Sequence, residues 1–306
     1  MTDGPLLALV GPTASGKSEA AVGVAEALGA EIVSVDSTTV YRRMDVGAAK
    51  PDAALRARVP HHLIDVADPS ETFTVARYQQ LAREALAAIR GRGRRVLLVG
   101  GSGLYFRALV DDLRFPPTDA GARAELEREA AVVGARSLHR RLEEMDPVAA
   151  GRIEPDNVRR TIRALEVTTL TGEPFSSFSQ AWDRYPAGRV RAAGVEVPRE
   201  VLYRRVEARV VEQLEHGLLD EVRGLLDDGL GEWITARQAI GYAEMTRHLK
   251  GDLPLQEAVA LTVRRTKALA RRQMAWFRRD PRIRWFAAGE RGAADVTDDI
   301  LEHLRG

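Results

Sequence analysis

Eight residues near the start of the chain have the types and spacing that bind a phosphate group. The segment carries two glycines five positions apart, followed by lysine and serine: Gly11, Pro12, Thr13, Ala14, Ser15, Gly16, Lys17 and Ser18. Glycines so placed let successive backbone N–H groups converge on phosphate oxygens, while the lysine adds a cation and the serine hydroxyl can ligate Mg²⁺. The amino terminus of a following helix adds partial positive charge. The sequence therefore predicts a P-loop that holds a phosphorylated ligand.

A carboxylate, Asp36, follows the next apolar segment. P-loop triphosphatases and kinases commonly place a metal-binding acid at the end of a further apolar strand. Here the strand Val96–Val99 is followed instead by Gly100-Gly101-Ser102-Gly103. Asp36 is then either a turn aspartate that caps the next segment, or a general base or metal contact that faces the phosphate.

Apolar segments that alternate with helical ones indicate how these groups are positioned. Predicted strands cover 6–10, 31–35 and 96–99, and predicted helices run from about Lys17 to Gly29 and from about 75 to 90. Such alternation predicts a doubly wound α/β domain with a parallel sheet. Ligands bind at the carboxyl ends of such strands, where Gly11, Asp36 and Ser102 all lie.

The later part of the sequence predicts an insertion into this domain. After Pro116-Pro117, a polar helical stretch runs to about Leu170, followed by a turn-rich passage. A strand then returns at 190–197, and the remainder is predicted to be helical. We therefore expect a P-loop NTPase-like core formed by residues 1–115 and 189–306, and an inserted, mainly helical domain at 116–188.

Composition places the chain among ordinary globular enzymes. Of its 306 residues, 45% are hydrophobic and 29% are charged, and cysteine is absent, which excludes disulfides and thiolate–metal sites. No apolar run approaches the roughly 20 residues that span a bilayer. The amino terminus is not basic and its apolar stretch is short, so it does not resemble a signal peptide. We expect a cytoplasmic protein with no membrane association, and no protein partner is implied.

Two further clusters of residues have alternative interpretations. Between Arg264 and Arg284, nine Arg or Lys residues accompany a single acid, Asp280, although the net charge is only +1. Such a run indicates either a polyanion site or a solvated helix face. His61-His62 with Asp65 could suggest a metal site, but adjacent histidines point in different directions and no third ligand has suitable spacing. We therefore expect no metal there.

Taken in order, these motifs resemble those of the tRNA dimethylallyltransferases. Besides the P-loop, the matching segments extend over about residues 6–278 and comprise Asp36-Ser37, Val40-Tyr41, Met44-Asp45, Ala49-Lys50-Pro51, 60–65, 99–105, Arg160 with 163–167, 172–175, 238–242 and 271–276. The departures are Ser102, where the family usually has threonine, Thr38-Thr39, and Ala48, where threonine is common.

The resemblance implies a particular reaction. The P-loop would hold the diphosphate of dimethylallyl diphosphate, and the prenyl group would move to the exocyclic amine of the adenosine on the 3′ side of a tRNA anticodon. In this scheme Asp36 accepts a proton from the amine. Lys17, the loop amides, Arg223 and Mg²⁺ on Ser18 would stabilise the departing diphosphate, while the Ser102 hydroxyl could bond the diphosphate or the base.

The resemblance also implies contacts to the anticodon stem-loop. Its bases would be read by stacking and edge hydrogen bonds, and its phosphates by Arg and Lys. The candidates are Asp36, Ser37, Thr38, Thr39, Ser102, Arg159, Arg160, Arg163, Arg237, Gln238, Tyr242, Arg271, Arg272, Gln273, Trp276 and Arg278. Trp276 has core packing as an equal alternative.

Three other functions stay open from the residues alone. An isopentenyltransferase that acts on free adenine nucleotides would share the loop, although it needs neither the insertion nor the basic helix. A P-loop kinase or RNA-stimulated NTPase would hydrolyse ATP, which the missing strand-end acid disfavours. An RNA-binding protein with a decayed loop fits least, because the loop is intact.

Overall fold

A six-stranded, wholly parallel sheet forms the centre of the protein. The computed structural model describes residues 4–179, 184–233 and 235–306. The strands are β1 Leu6–Val10, β2 Ala30–Val35, β3 His61–His62, β4 Arg95–Gly100, β5 Val190–Glu196 and β6 Ile283–Ala287, in the spatial order β3-β2-β4-β1-β5-β6. The central strands β1, β2 and β4 are almost entirely buried, as expected for a parallel sheet covered on both faces. The predicted α/β fold with a P-loop-like core is therefore confirmed.

Helices cover the sheet and build the insertion. In chain order they are α1 Lys17–Leu28, α2 Ala53–Arg58, α3 Val75–Gly91, α4 Gly103–Val110, α5 Ala120–Val133, α6 Ala135–Met145, α7 Pro147–Ala150, α8 Val158–Thr171, α9 Arg199–Glu215, α10 Leu218–Asp227, α11 Tyr242–Leu249, α12 Leu255–Phe277 and α13 Thr297–Arg305. Within the described residues, no helix is both long and apolar enough to cross a lipid bilayer.

The register of the central strands brings three chain segments to one edge of the sheet. Val10 at the end of β1 and Val35 at the end of β2 both pair with Gly100 of β4. A Cβ atom at Gly100 would lie 2.1 Å from the Val35 carbonyl oxygen, so only glycine allows this close approach. The P-loop, Asp36 and Ser102 consequently begin side by side at the carboxyl edge.

The chain divides into two compact units. The first comprises 1–110 and 186–306, and the second comprises 111–185. The boundaries predicted from the sequence are 1–115 and 189–306 for the core, and 116–188 for the insertion. The second unit contains α5 to α8 and has its own apolar core, which includes Leu138, Leu142 and Leu165.

Two strands were not predicted from the sequence. Strand β3 is only two residues long and consists of histidines, which gives no apolar signal. Strand β6 pairs with β5 at the edge of the sheet, in the part of the chain that was predicted to be helical. Both are edge strands, for which alternation and burial give weak signals.

Candidate active site

The P-loop joins the end of β1 to the start of α1 and is fixed by contacts from distant parts of the chain. Ala14 and Gly16 adopt left-handed backbone angles, with φ of 64° and 81°. The Thr13 N–H donates to Gln273 Oε1 at 2.8 Å, and the Ala293 N–H donates to the Ser15 carbonyl at 2.8 Å. The loop is therefore preorganised before any ligand binds.

A cleft of about 350 Å³ opens beside the loop. Its wall combines the P-loop and first turn of α1 with the carboxyl ends of β2 and β4. The side chains of the cleft that could bind a ligand or do chemistry include Lys17, Ser18, Asp36, Arg205, Arg209 and Gln273, together with Glu19, Lys50 and Asp52. Cations and carboxylates thus share a single cavity.

Lys17 is held inside this cleft by the loop itself. Its Nζ donates to the Pro12 carbonyl at 3.1 Å. Burial, reinforced by the nearby Arg209 and opposed by Asp36, lowers the pKa of Lys17 to about 8. A dianionic ligand in the cleft would oppose that shift and keep the ammonium charged.

Two arginines of α9 contact the P-loop and were not found from the sequence. Arg205 Nε donates to the Ala14 carbonyl at 2.8 Å, and Arg209 Nη1 donates to Thr13 Oγ1 at 3.0 Å. They lie four residues apart and so share one face of the helix. Burial lowers the pKa of Arg209, helped by the positive Arg205 nearby. The i, i+4 spacing was visible in the sequence, but which face meets the loop depends on the pairing of β5 with β1.

Asp36 lies immediately after β2 and faces the same cleft. Its Oδ1 accepts the Thr38 N–H at 2.8 Å, which fixes the carboxylate plane. The other oxygen, Oδ2, bonds no donor of the described chain, and the side chain is only half buried. A ligand N–H group could therefore bond it. The turn-capping interpretation is confirmed by the Thr38 contact, and the functional interpretation stays a prediction.

Comparison with known proteins is consistent with this architecture. The sequence profile of the family described as IPP transferase matches residues 39–280. The chain belongs to the IPP transferase family. A tRNA dimethylallyltransferase of Desulforudis audaxviator is 49% identical over 94% of this chain and 93% of that protein. One from Streptomyces coelicolor is 49% identical over 96% and 92%. The structure of a tRNA isopentenylpyrophosphate transferase from Bacillus halodurans, 39% identical, superimposes with a TM-score of 0.71 over 99% of this chain and 97% of the other.

Ser102 directly precedes α4 in this IPP transferase family member and is not among the residues that line the cleft. Its backbone N–H donates to the Val35 carbonyl at 3.1 Å, so the residue is tied to the end of β2, one position before Asp36. The side chain is half buried. The hydroxyl's bond to diphosphate or base stays a prediction.

Two of the predicted tRNA contacts have buried side chains, which disfavours direct contact with RNA. Tyr242 is fully buried, and its hydroxyl donates to Glu221 Oε1 at 2.6 Å. Thr39 is 7% exposed, and its hydroxyl is paired with the Ser34 hydroxyl at 2.9 Å. Tyr242 lies in a segment that matches the family and packs in the core, whereas Thr39 lines the cleft at a position where the sequence departs from the family pattern.

Arg223 is not placed at the cleft. It is 56% exposed on α10, and its Nη1 donates to Asp220 Oδ1 at 2.5 Å. It is absent from the residues that line the cleft, whereas Arg205 and Arg209 are among them. The role of Arg223 stays a prediction of the family resemblance, and the structure offers the two α9 arginines for the same task.

The remaining predicted tRNA contacts fall into three groups. Gln273 lines the cleft and binds the loop backbone, and Trp276 packs on Gly103, where a Cβ atom would lie 2.6 Å from its ring. Arg163 donates to the Pro116 and Pro117 carbonyls and to Glu166 within the second unit, so its guanidinium group already has structural partners. The others are wholly or partly exposed at the surface of their own unit: Ser37, Thr38, Arg159, Arg160, Arg237, Gln238, Arg271, Arg272 and Arg278.

The histidine pair has structural partners. His62 Nε2 is 2.6 Å from Glu31 Oε2, and His61 Nδ1 is 2.7 Å from the Val59 carbonyl. Throughout the described ranges, no group of three or more His, Asp or Glu residues could hold a metal ion by itself.

Proposed function

We propose that this protein is a tRNA dimethylallyltransferase. It transfers a dimethylallyl group from dimethylallyl diphosphate to the exocyclic amine of the adenosine on the 3′ side of the tRNA anticodon, and releases diphosphate. The observation that carries the proposal is the shared cleft, in which a phosphate-binding loop and the free oxygen of Asp36 face one cavity. Membership of the IPP transferase family supports the same reaction.

Asp36 supplies the base. The adenine amine is a poor nucleophile because its lone pair is delocalised into the ring. A carboxylate that accepts one amine hydrogen raises electron density on nitrogen and takes the proton as the N–C bond forms. The bond from the Thr38 N–H orients the carboxylate, so that Oδ2 is left for the amine.

The P-loop and its cations stabilise the leaving group. As the C–O bond breaks, negative charge accumulates on the diphosphate. Lys17, Arg209 and the loop amides are already fixed around that position, so little reorganisation is needed when the charge develops. The Arg205 contact holds the loop at Ala14 and so supports the same geometry.

The residues of the cleft fit a Mg²⁺ ion that arrives with the diphosphate. Ser18 is exposed at the first turn of α1, and the carboxylates that line the cleft are Glu19, Asp36 and Asp52. Mg²⁺ commonly uses one or two protein oxygens and completes its shell with phosphate oxygens and water. Ser18 would hold the ion, which when bound neutralises charge on the departing diphosphate.

The tRNA must present its base outside the anticodon stack. Chemistry on the amine requires the nucleotide to be extruded toward the cleft. Exposed arginines of α12, Arg271 and Arg272, together with Arg278 just after it, carry charge suited to the flanking phosphates. A mononucleotide would not need this surface, which favours tRNA as the acceptor.

The proposal is tested by incubating the protein with dimethylallyl diphosphate, Mg²⁺ and a tRNA that has adenosine beside its anticodon. Mass analysis of the nucleosides should detect prenylated adenosine. A parallel reaction with AMP should give little product. Absence of the prenylated nucleoside from tRNA contradicts the proposal, and preferential modification of AMP assigns the protein to the free-nucleotide class.

A further inference from the structure

A second concave site lies at the opposite edge of the sheet from the P-loop. It has a volume of about 450 Å³ and is walled by five arginines: Arg90, Arg94, Arg95, Arg191 and Arg305. Pro5, Leu6 and Leu7 form part of its floor. We call it the arginine basin.

The fold assembles this basin from four separate chain segments. Arg95 begins β4 and Arg191 lies near the start of β5, and these strands flank β1 on its two sides. Arg90 and Arg94 come from the end of α3 and the turn that follows, while Arg305 ends α13. Because the amino ends of parallel strands meet at one edge, the arginines converge although they are far apart in sequence.

The basin has no internal counter-charge in the part of the chain that the structure describes. Among the described residues, no Asp or Glu lines it and none of the five arginines forms an ion pair. Within the same residues, the one hydrogen bond made by these arginines runs from Arg95 Nη2 to the Leu304 carbonyl at 3.3 Å. The carboxyl ends of α3 and α13 add only about half a negative charge each. A large excess of positive charge therefore remains.

We propose that the arginine basin binds an oligophosphate anion, with two or three linked phosphoryl groups, either free or at the end of a small molecule. Guanidinium groups bind phosphate oxygens through two parallel N–H bonds, and several of them can surround one multiply charged anion. The cavity has the size of a small-molecule site.

This ligand is separate from the diphosphate in the active site. The five residues of β1 run from the basin to the P-loop and span roughly 17 Å at about 3.3 Å per residue. A diphosphate group cannot bridge that distance. Occupation of the basin would therefore add a second phosphate site to the catalytic one.

The test is calorimetric titration with inorganic triphosphate, without Mg²⁺, on a Lys17→Ala background that weakens P-loop binding. The Lys17→Ala protein should still bind one triphosphate per chain. Adding Arg94→Ala and Arg191→Ala should weaken that binding at least tenfold, and raised salt should weaken it in the parent. As a matched control, Arg140→Ala with Arg247→Ala removes the same charge from exposed positions on α6 and α11, and should leave binding unchanged.

A thermal-shift measurement separates lost binding from lost folding. Triphosphate should raise the unfolding temperature of the Lys17→Ala protein but not that of the variant that also lacks Arg94 and Arg191. Equal binding by that variant and the control would overturn the proposal. Absence of triphosphate binding to Lys17→Ala, with weaker tRNA binding on loss of Arg94 and Arg191, would also overturn it and assign the basin to RNA. Prenylation of tRNA by the wild-type protein is measured separately and depends on neither result.

Discussion

At the scale of single residues, two side chains of the cleft, Asp36 and Lys17, carry the proposed reaction. Asp36 has one oxygen engaged by the Thr38 N–H and one oxygen free. The loop confines Lys17, and burial lowers the pKa of its ammonium group to about 8. Both were identified from the sequence, because the P-loop pattern and a carboxylate after a strand are local signals. The lowered pKa of Lys17 could not be, since it depends on burial and on residues far away in the chain such as Arg209. The free oxygen of Asp36 could not be either, since it depends on which donors the fold brings near.

Replacing Asp36 by asparagine should remove the base while keeping the shape of the side chain. We expect kcat to fall by about 10² to 10⁴, the usual contribution of a general base. The Kd for tRNA should change less than about twofold, because one base contact is a small part of a phosphate-dominated interface. Rapid-quench kinetics and filter binding measure the two quantities, and an equal loss in both would contradict the assignment.

The affinity for dimethylallyl diphosphate should depend on the protonation of Lys17. Below pH 8 the ammonium is charged and binds the diphosphate directly. Above the free-enzyme pKa of about 8, binding must first take up a proton, so the Kd should rise with pH, approaching about tenfold per unit. Measuring the Kd at several pH values across this range tests this rise. In Lys17→Arg the guanidinium stays charged, so the rise should disappear; its persistence would assign the titration to another group.

At the scale of elements, helix α9 and the strand ends determine the site. The sequence predicted where β1, β2 and β4 end, because short apolar runs followed by glycine or aspartate are clear patterns. It did not predict that α9 turns Arg205 and Arg209 toward the loop, since that orientation follows from strand pairing. It predicted Tyr242 as an RNA contact although the side chain is buried, because a tyrosine within a family motif looks the same whether it faces a ligand or the core.

Truncation of Arg209 tests the contribution of α9. Arg209→Ala removes a buried cation that bonds the P-loop, so the Kd for diphosphate should rise about tenfold to a hundredfold, from the usual 1.5–3 kcal/mol of a charged hydrogen bond. Arg204→Ala is the matched control, because Arg204 lies on the same helix but pairs with Glu290 at the surface. Equal effects of the two variants would show that the loss is not specific to the loop.

The buried Tyr242 hydroxyl should contribute to stability and not to RNA binding. Tyr242→Phe leaves Glu221 without its phenol donor, although three backbone N–H groups still bond that carboxylate. We expect a loss of about 1–3 kcal/mol in the free energy of unfolding, with unchanged affinity for tRNA. Urea denaturation and filter binding measure these effects. Tyr203→Phe, at a half-buried position on α9, is the control for stability, and a drop in tRNA affinity specific to Tyr242→Phe would restore the original prediction.

At the scale of the whole molecule, the parallel sheet separates two kinds of phosphate chemistry. Its carboxyl edge carries the P-loop and Asp36, and its amino edge carries the arginine basin. The insertion is a compact unit at 111–185 with a core of its own. The sequence indicated this division from the break at Pro116-Pro117 and the returning strand β5, but it could not reveal the basin, whose arginines come from three separate segments.

The central claim is that the P-loop holds diphosphate as a leaving group and does not split a nucleoside triphosphate. The most direct measurement counts diphosphate and prenylated nucleoside in one reaction with tRNA and dimethylallyl diphosphate, and counts free phosphate in a matched reaction with ATP. The account predicts one diphosphate per modified nucleoside, and no phosphate release from ATP with or without tRNA. Release of phosphate from ATP, without prenylated nucleoside in the first reaction, would contradict it.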